Sequence, residues 1–349
     1  MTPVLRRRAL IALRAAALLA PVLALAAGSA AAETAEAFYR GKTLSLLIGY
    51  PPGGANDAYA RLVARHLGQH MPGRPSVVAM NMPGAGSLRA ANHIFGVAPN
   101  DGTVLGLLVP TLALEAKLGS TATKFKASQF SWIGRLATAT GITFLMRTAR
   151  VQSIADAFTN VAVLGATGRS ATNAVYPTVL NNVLATQFKI VNGYEGSAAA
   201  MMAMERGEVD GHSATLEILK ATRQDWLTAR KINIIVQYSA SRNAELPDVP
   251  TVVELARTPE QATILRAVSS GSDIGKFLLT TPRVPADRVE TLRRAFDAMV
   301  KDAAFVAEAR QLRVELDPLP GEQLQRIIEQ VEGLSPEITD KVKAIYPLN

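Results

Sequence analysis

Residues 44–87 read LSLLIGYPPGGANDAYARLVARHLGQHMPGRPSVVAMNMPGAGS, and the order of apolar runs and glycines in this stretch decides the fold class. An apolar run at 44–50, with the composition of a strand, is followed by Pro-Pro-Gly-Gly and by Asn56 or Asp57 as the expected N-cap of a helix. A second apolar run, at 77–82, leads into another glycine-rich loop and a new helical start. The stretch therefore predicts strand, loop and helix twice in succession.

Two helix N-termini in this stretch are expected to face one crevice. Helix N-termini present unpaired backbone N–H groups and the positive end of the helix dipole, and glycine lets a ligand approach the main chain closely. The pattern is therefore typical of a site for a small anion. The candidate ligand contacts in this part of the chain are Tyr50, Gly53, Gly54, Asn56, Asp57, Gly86 and Ser87.

The alternation of strand, glycine-rich loop and helix restarts in the second half of the chain. A strand at 161–164 precedes the loop at 165–170, and a strand at 188–191 precedes the loop at 193–197. Such alternation predicts an α/β fold with mainly parallel sheets flanked by helices, and such sheets bind ligands at the carboxyl ends of their strands. The candidate contacts here are Gly165, Thr167, Gly168, Arg169, Ser170, Thr172, Tyr194, Asp210 and Ser213.

The two halves are expected to form two lobes joined by crossing segments, because no low-complexity linker separates them. Since the chain must return for its C-terminal helices, lobe one is placed at 33–137 plus 242–349 and lobe two at 138–241. The hinge is placed in the crossing segments near 136–140 and 239–242, whose small residues can absorb a backbone rotation.

The composition excludes several functional classes. The chain has 349 residues and 48% hydrophobic content, enough for a sizeable core, and it contains no cysteine, which excludes disulfides, thiolate catalysis and Cys-ligated metals. Its 37 Lys+Arg against 29 Asp+Glu give +8, but four of the arginines lie in the first 32 residues, so the remainder carries 33 − 29 = +4. This small and scattered excess does not indicate a nucleic-acid-binding protein.

The N-terminus has the pattern of an export signal. Basic residues up to Arg14 precede an apolar stretch at 15–27, and Ala-Ala-Ala before Glu33 matches an A-x-A cleavage site. The apolar stretch is shorter than the ~20 residues of a membrane-spanning helix. Residues 1–32 are therefore predicted to be a signal peptide, and the mature chain is predicted to be periplasmic.

Several ordered blocks make the mature chain similar to a known family. They resemble the signature blocks of the periplasmic solute-binding proteins of tripartite tricarboxylate transporters, the Bug-type receptors, over essentially the whole mature chain. The blocks are Pro52-Gly53-Gly54 with Asp57 and Arg61, NMPGAG at 81–86, PNDGT at 99–103, GYEGSA at 193–198, GEVD at 207–210 and LPDVPT at 246–251.

The resemblance implies a Venus-flytrap fold of two lobes that close on a small organic carboxylate. It also implies a monomeric receptor without a cofactor, which delivers its ligand to the membrane subunits of an ion-gradient-driven transporter. Three departures from the family pattern are visible. Arg169 lies in a loop that in the family ends in a His-Leu pair, Glu195 replaces a basic residue, and 268–275 replaces a Trp-containing stretch.

The competing class is a secreted hydrolytic enzyme acting on a small anionic substrate. Ser87 or Ser170 would be its nucleophile, but the sequence contains no G-x-S-x-G motif, and His93 and His212 sit in no recognisable triad arrangement. No catalytic residue is therefore predicted. An outer-surface structural protein is a third class, which would bind no small ligand.

Nucleotide and metal sites are not predicted either. Gly84-Ala85-Gly86-Ser87 lacks the third glycine of a dinucleotide fingerprint, and Gly41-Lys42-Thr43 lacks the earlier glycine of a phosphate loop. His66 and His70 have the spacing of two metal ligands on a helix, but no third ligand stands out. The interpretation is a receptor without cofactor or metal.

Each candidate contact also has a structural interpretation that the sequence leaves open. In the structural interpretation, Asp57 is an N-cap without a role in binding, Arg169 is a solvated loop cation, and Tyr194 belongs to the core. Asp210 and Ser213, expected at the end of a strand, can line a pocket or support the strand.

Overall fold

The strands of the protein form two sheets, one of six strands and one of five. The computed structural model describes residues 33–119, 121–169 and 171–346, so the predicted signal peptide at 1–32 lies outside the described residues. In chain order the strands are β1 (Thr43–Ile48), β2 (Ser76–Asn81), β3 (Val104–Leu107), β4 (Ser131–Ala137), β5 (Gly141–Met146), β6 (Ala162–Ala166), β7 (Phe188–Asn192), β8 (Gly211–Thr215), β9 (Ile232–Tyr238), β10 (Lys276–Thr280) and β11 (Leu319–Pro320).

Most strands of each sheet run in one direction. Sheet one has the order β11-β4-β10-β3-β1-β2, and sheet two has the order β7-β6-β8-β5-β9. β1 is parallel to β2 and β3, and β6 is parallel to β7 and β8. β10 and β5 are antiparallel to both neighbours. β5 follows directly from β4 of sheet one, and β10 follows the helix Pro259–Ile274. The predicted two-lobed α/β fold with mainly parallel sheets is confirmed.

Twelve α-helices flank the sheets in the described residues. They are α1 (Ala35–Tyr39), α2 (Ala55–His66), α3 (Leu88–Gly96), α4 (Leu112–Lys117), α5 (Thr172–Leu184), α6 (Ser197–Glu205), α7 (Leu216–Thr228), α8 (Pro259–Ile274), α9 (Ala286–Met299), α10 (Ala303–Gln311), α11 (Gly321–Glu332) and α12 (Pro336–Ile345). Side chains at the N-caps of α1, α7, α8, α10 and α12 accept hydrogen bonds from the first turn. None of these helices is long and apolar enough to span a bilayer.

The buried apolar side chains form three clusters. One covers the face of sheet one under α2 and α9, and another covers the face of sheet two under α6 and α7. The third extends from the other face of sheet one to the other face of sheet two. α8 packs against α4, α5 and α11 within this third cluster. The hydrophobic core is therefore continuous between the lobes along α8.

The C-terminal end of α8 holds both segments that cross between the sheets. The Ala139 N–H donates to the Ser272 carbonyl at 3.0 Å, and the Ala240 N–H donates to the two carboxylate oxygens of Asp273 at 3.2 and 3.1 Å. Because each segment is bonded to an adjacent residue of α8, the three elements form one joint. The boundaries of the lobes within this joint stay a prediction.

Three local predictions are wrong. The N-cap of α2 is Gly54, whose backbone is still extended, so the helix begins before Asn56 and Asp57. β6 continues through Gly165, which therefore lies in the strand and not in the loop. Asp210 precedes β8 and does not end a strand, since its N–H and carboxylate both pair with the start of β6.

Candidate functional site

A cavity of about 230 Å³ lies between the two sheets, at the carboxyl ends of β3 and β8. We call it the cleft cavity. Sheet one contributes the loop 109–111, which follows β3, and sheet two contributes 213–215. The other lining residues are Ala139, Thr172, Asn173, Tyr176, Ser197, Ile218, Gly271 and Ser272. This is the edge of a parallel sheet at which α/β folds bind ligands.

Four helices begin at the cleft cavity. Thr111 and Thr215 are the N-caps of α4 and α7, and Thr172 and Ser197 are the first residues of α5 and α6. The Thr215 hydroxyl caps its own helix by accepting from the Ile218 N–H at 3.3 Å. No side chain caps α5 or α6 in the described residues, so their first backbone N–H groups are available to an anion.

Hydroxyl groups are bonded together behind Ser213, a residue that lines the cleft cavity. The Ser213 Oγ lies 2.7 Å from the Thr143 Oγ1, which lies 2.9 Å from the Tyr238 hydroxyl. The rings of Tyr176 and Tyr238 are stacked with centroids 4.0 Å apart. Burial raises the pKa of both phenols, so they stay neutral at physiological pH. The groups behind Ser213 are polar and uncharged.

Two larger cavities, of about 730 and 610 Å³, lie beside the crossing segments, and both are lined by Arg135 and Asp273. Volume alone does not identify a ligand site. The strand ends and helix N-termini that favour a small anion converge on the cleft cavity, so we place the candidate site there.

Asp57 fastens the first glycine-rich loop to the end of β2. Its buried carboxylate accepts hydrogen bonds from the Gly53 N–H, the Arg61 Nε and the Asn81 Nδ2, each at 2.9 Å. Asn81 also donates to the Tyr50 carbonyl at 3.0 Å. The bond from Arg61, followed by those from Gly53 and Asn81, lowers the pKa of Asp57 to about 2. The hydrogen bonds of the Asp57 carboxylate are therefore all made within lobe one.

Replacing Asp57 by asparagine is expected to lower the free energy of unfolding by roughly 2 kcal/mol at neutral pH. A carboxyl group whose pKa falls on folding, here from 3.8 to about 2, stabilises the protein above its unfolded pKa. This contribution is lost as the pH falls through that interval. Urea unfolding of both proteins from neutral pH into this acid range should show their difference shrinking, and a difference independent of pH would contradict the assignment.

Ser87 ties the second glycine-rich loop to the first. Its φ is 69°, its Oγ donates to the Gly49 carbonyl at 3.0 Å, and the Val109 N–H donates to the same oxygen at 3.2 Å. A Cβ on Gly49 would lie 2.3 Å from this oxygen, so only glycine fits there. Ser87 thus supports the loop 109–111 from beneath. The predicted contacts of lobe one, which are Tyr50, Gly53, Gly54, Asn56, Asp57, Gly86 and Ser87, do not line the cleft cavity.

Thr167 orients a residue of the cleft cavity without lining it. Its N–H and its hydroxyl lie 3.1 and 3.2 Å from the Oδ1 of Asn173, the second residue of α5. Of the other predicted contacts in this loop, Gly165 is buried in β6, Gly168 is partly buried, Arg169 is exposed and Ser170 lies outside the described residues.

Tyr194 and Asp210 lie away from the cleft cavity. Tyr194 packs on the core under α6, and its ring lies 3.1 Å from where a Cβ of Gly165 would be. The Asp210 carboxylate accepts from the Val163 N–H at 2.7 Å, near the amino end of β6 and hence far from the cleft edge. Both side chains support sheet two in this conformation.

Thr172 and Ser213 are the predicted contacts that the structure places in the lining of the cleft cavity. Thr111, Tyr176 and Ser272 line it without having been predicted. The strand, loop and helix pattern of 104–117 is a signal that could have pointed to Thr111. Ser272 has no local signal, because it reaches the cavity only through the packing of α8.

The described residues that line the cleft cavity include no Asp, Glu, Lys, Arg or His. Within the described ranges, no group of three or more His, Cys, Asp and Glu side chains is placed to hold a metal ion. The chemistry that these lining residues offer is therefore hydrogen bonding from backbone N–H groups, hydroxyls and the Asn173 amide.

A family comparison decides the class of the protein. Residues 59–330 match the tripartite tricarboxylate transporter family receptor, TctC. The chain belongs to this family. The resemblance drawn from the sequence is confirmed, and a TctC-family chain is a solute-binding receptor and not a hydrolase. The chain is also similar to a UPF0065 protein from the tcbD-tcbE intergenic region of Pseudomonas sp. (strain P51), with 27% identity over 258 residues, 68% of this chain and 70% of that protein.

Solved structures share the fold of this TctC-family chain. A TctC solute-binding protein from Polaromonas, without ligand, matches with a TM-score of 0.68 and 19% identity over 88% of this chain and 98% of that one. A Rhodopseudomonas palustris protein with adipate matches with a TM-score of 0.57 and 20% identity over 87% of this chain and 97% of that one. At this identity the likeness shows the two-lobed fold.

Proposed function

We propose that this receptor captures a small organic carboxylate in the cleft cavity. The observation that carries the proposal is the convergence of four helix N-termini on a lining without charge, because the first N–H groups of α5 and α6, which no side chain caps in the described residues, favour an anion. The structural neighbour with adipate supports a carboxylate. Hydrogen bonds to a charged group contribute about 1.5–3 kcal/mol each, so three or four of them support micromolar affinity after the cost of association.

Closure of the two lobes would complete the proposed site. Lobe one, 33–137 plus 242–349, carries the loops 50–57 and 84–87, and lobe two, 138–241, carries the loops 165–172 and 194–197. The exposed residues Gly53, Gly86 and Arg169 would approach the ligand only in the closed form. A ligand shifts such an equilibrium by its higher affinity for one state, and contacts from the second lobe supply that difference.

The receptor is also assigned a cellular compartment and membrane partners. We infer that residues 1–32 direct export, that the mature chain is a periplasmic monomer, and that it delivers its ligand to the membrane subunits of a tripartite tricarboxylate-type transporter. The export pattern at the N-terminus and the family match support this role.

Calorimetric titration of the chain 33–349 with malate, adipate and citrate is expected to show saturable binding of at least one of them. A ligand that binds only the folded state also raises the melting temperature, since a concentration of a hundred times Kd adds about 2.7 kcal/mol to stability. Adipamide, the neutral diamide of adipate, is the matched control and is expected not to bind.

Equal binding of adipamide and adipate would contradict recognition of an anion. Turnover of an ester panel without carboxylate binding would contradict the receptor role. A melting temperature that none of the ligands changes would favour a structural protein.

A further inference from the structure

A second groove, of about 610 Å³, lies between α8 and α11 and reaches the crossing segment at Ala240 and Ser241. We call it the hinge groove. It shares no lining residue with the cleft cavity among the described residues. Its volume falls within the roughly 300–1,000 Å³ typical of small-molecule sites.

Two helices present matching stripes to the hinge groove. α8 contributes Thr263, Arg266, Ala267 and Ser270, and α11 contributes Gln323, Arg326, Ile327 and Gln330. Both sets have the spacing i, i+3, i+4, i+7, which places them on one face of each helix. Each stripe therefore carries one arginine and several neutral groups toward the same space.

The two arginines of the stripes are exposed, and neither has a carboxylate oxygen within 4.0 Å in the described ranges, although Arg266 is near enough to Asp273 to lower the pKa of that carboxyl group. The ion pairs nearest to them in the chain join other residues: Arg135 with Asp317, Arg293 with Glu322, and Lys341 with Glu260. Arg266 and Arg326 are therefore available to an anion from solution.

The acidic group of the hinge groove offsets only part of these charges. Asp273 is held by the Ala240 N–H, and burial raises the pKa of its carboxyl group to about 6. Arg135 is engaged by the Asp317 carboxylate at 2.8 Å. With Arg135 paired to Asp317, the two arginines of the stripes and the Asp273 carboxylate leave a net positive charge of about one.

The rest of the hinge groove is apolar. Leu319, Ile327, Val331 and Leu334 line it together with Ala267, while Gln323 and Gln330 add amide groups. A wall of branched aliphatic side chains favours a hydrocarbon group, and two free guanidinium groups favour a carboxylate.

We propose that the hinge groove is a second ligand site, which takes a carboxylate with an aliphatic body. Arg266 and Arg326 bind the carboxylate, and the aliphatic side chains of α11 and of its flanking residues cover the hydrocarbon part. The site differs in chemistry from the cleft cavity, which offers hydroxyls and backbone N–H groups but no cation. It takes an amphipathic ligand where the cleft takes a polar one.

Octanoate is the probe for this site. Calorimetric titration of the chain 33–349 is expected to show saturable binding that weakens at least tenfold in the double variant Arg266→Gln/Arg326→Gln. The control Arg150→Gln/Arg313→Gln removes the same charge from exposed arginines elsewhere and is expected to bind octanoate as the wild type does. Urea unfolding of both double variants verifies that they remain folded.

Two further measurements separate the hinge groove from the cleft cavity. Affinity is expected to rise about fourfold for each methylene added between butyrate and octanoate, as burial of hydrocarbon requires. Octanoate binding is also expected to survive Thr172→Phe, which obstructs the cleft. Equal affinity of the two double variants, affinity independent of chain length, or loss of octanoate binding in Thr172→Phe would each overturn the proposal, while leaving the cleft site untouched.

Discussion

Replacing Gly275 by alanine is expected to lower the free energy of unfolding by about 3 kcal/mol or more. Gly275 ends α8 with φ 58° and ψ −138°, a conformation that residues with a side chain rarely adopt. An added Cβ would lie 2.0 Å from the Ala137 carbonyl oxygen and 2.9 Å from the Thr138 Cα. Both atoms belong to the backbone of the crossing segment, which is itself bonded to α8. The strain therefore cannot be relieved by moving a flexible side chain.

Urea unfolding measures this effect, and Gly96→Ala is the matched control. Gly96 is the last residue of α3, has no atom within 4 Å of its Cβ position, and has a negative φ. Alanine there is expected to be neutral or slightly stabilising, because it reduces the freedom of the unfolded chain. If the two variants unfold at the same urea concentration, the backbone at Ala137 and Thr138 can move to accommodate the added Cβ, which would contradict this prediction.

Thr172→Phe is expected to weaken carboxylate binding by about a hundredfold or more, which corresponds to roughly 2.7 kcal/mol. Thr172 is exposed, is the first residue of α5, and lines a cavity of about 230 Å³. A benzyl group there would obstruct both the space and the N–H groups at the start of the helix. Because the side chain is not part of the core, the stability of the fold should change little.

Calorimetry with whichever of malate, adipate and citrate binds the wild type provides the measurement. Ala304→Phe, which adds the same ring at an exposed position of α10, is the control and is expected to bind normally. Normal binding in Thr172→Phe would place the carboxylate outside the cleft cavity.

The repeated units of the fold were predictable because their signals are local. The apolar runs and glycine loops of 44–87 predict β1, α2 and β2 close to their observed bounds. The antiparallel insertion of β5 and β10 was not predicted. Strand direction there depends on the end of the sheet at which the chain enters, which no local pattern encodes.

The candidate site was predictable only where its residues belong to a unit of strand, glycine-rich loop and helix. Thr172 opens a helix after a glycine-rich loop, and this pattern is visible in the sequence. Ser272 joins the cavity from a helix a hundred residues later in the chain, and only packing brings it there. Asp57 was interpreted as an N-cap because that role can be recognised from adjacent residues. Its hydrogen bond with Asn81, 24 residues later in the chain, has no such local signal.

The uncharged lining of the cleft cavity bears on the speed of capture. A cationic pocket attracts anions over a distance, and this attraction weakens steeply as ionic strength rises. Hydroxyls and N–H groups attract only at short range, so the association rate of a carboxylate depends little on salt. Its release from this lining likewise separates no ion pair, since the lining carries no charged side chain among the described residues. For the proposed site, we therefore expect both rate constants to change little with ionic strength.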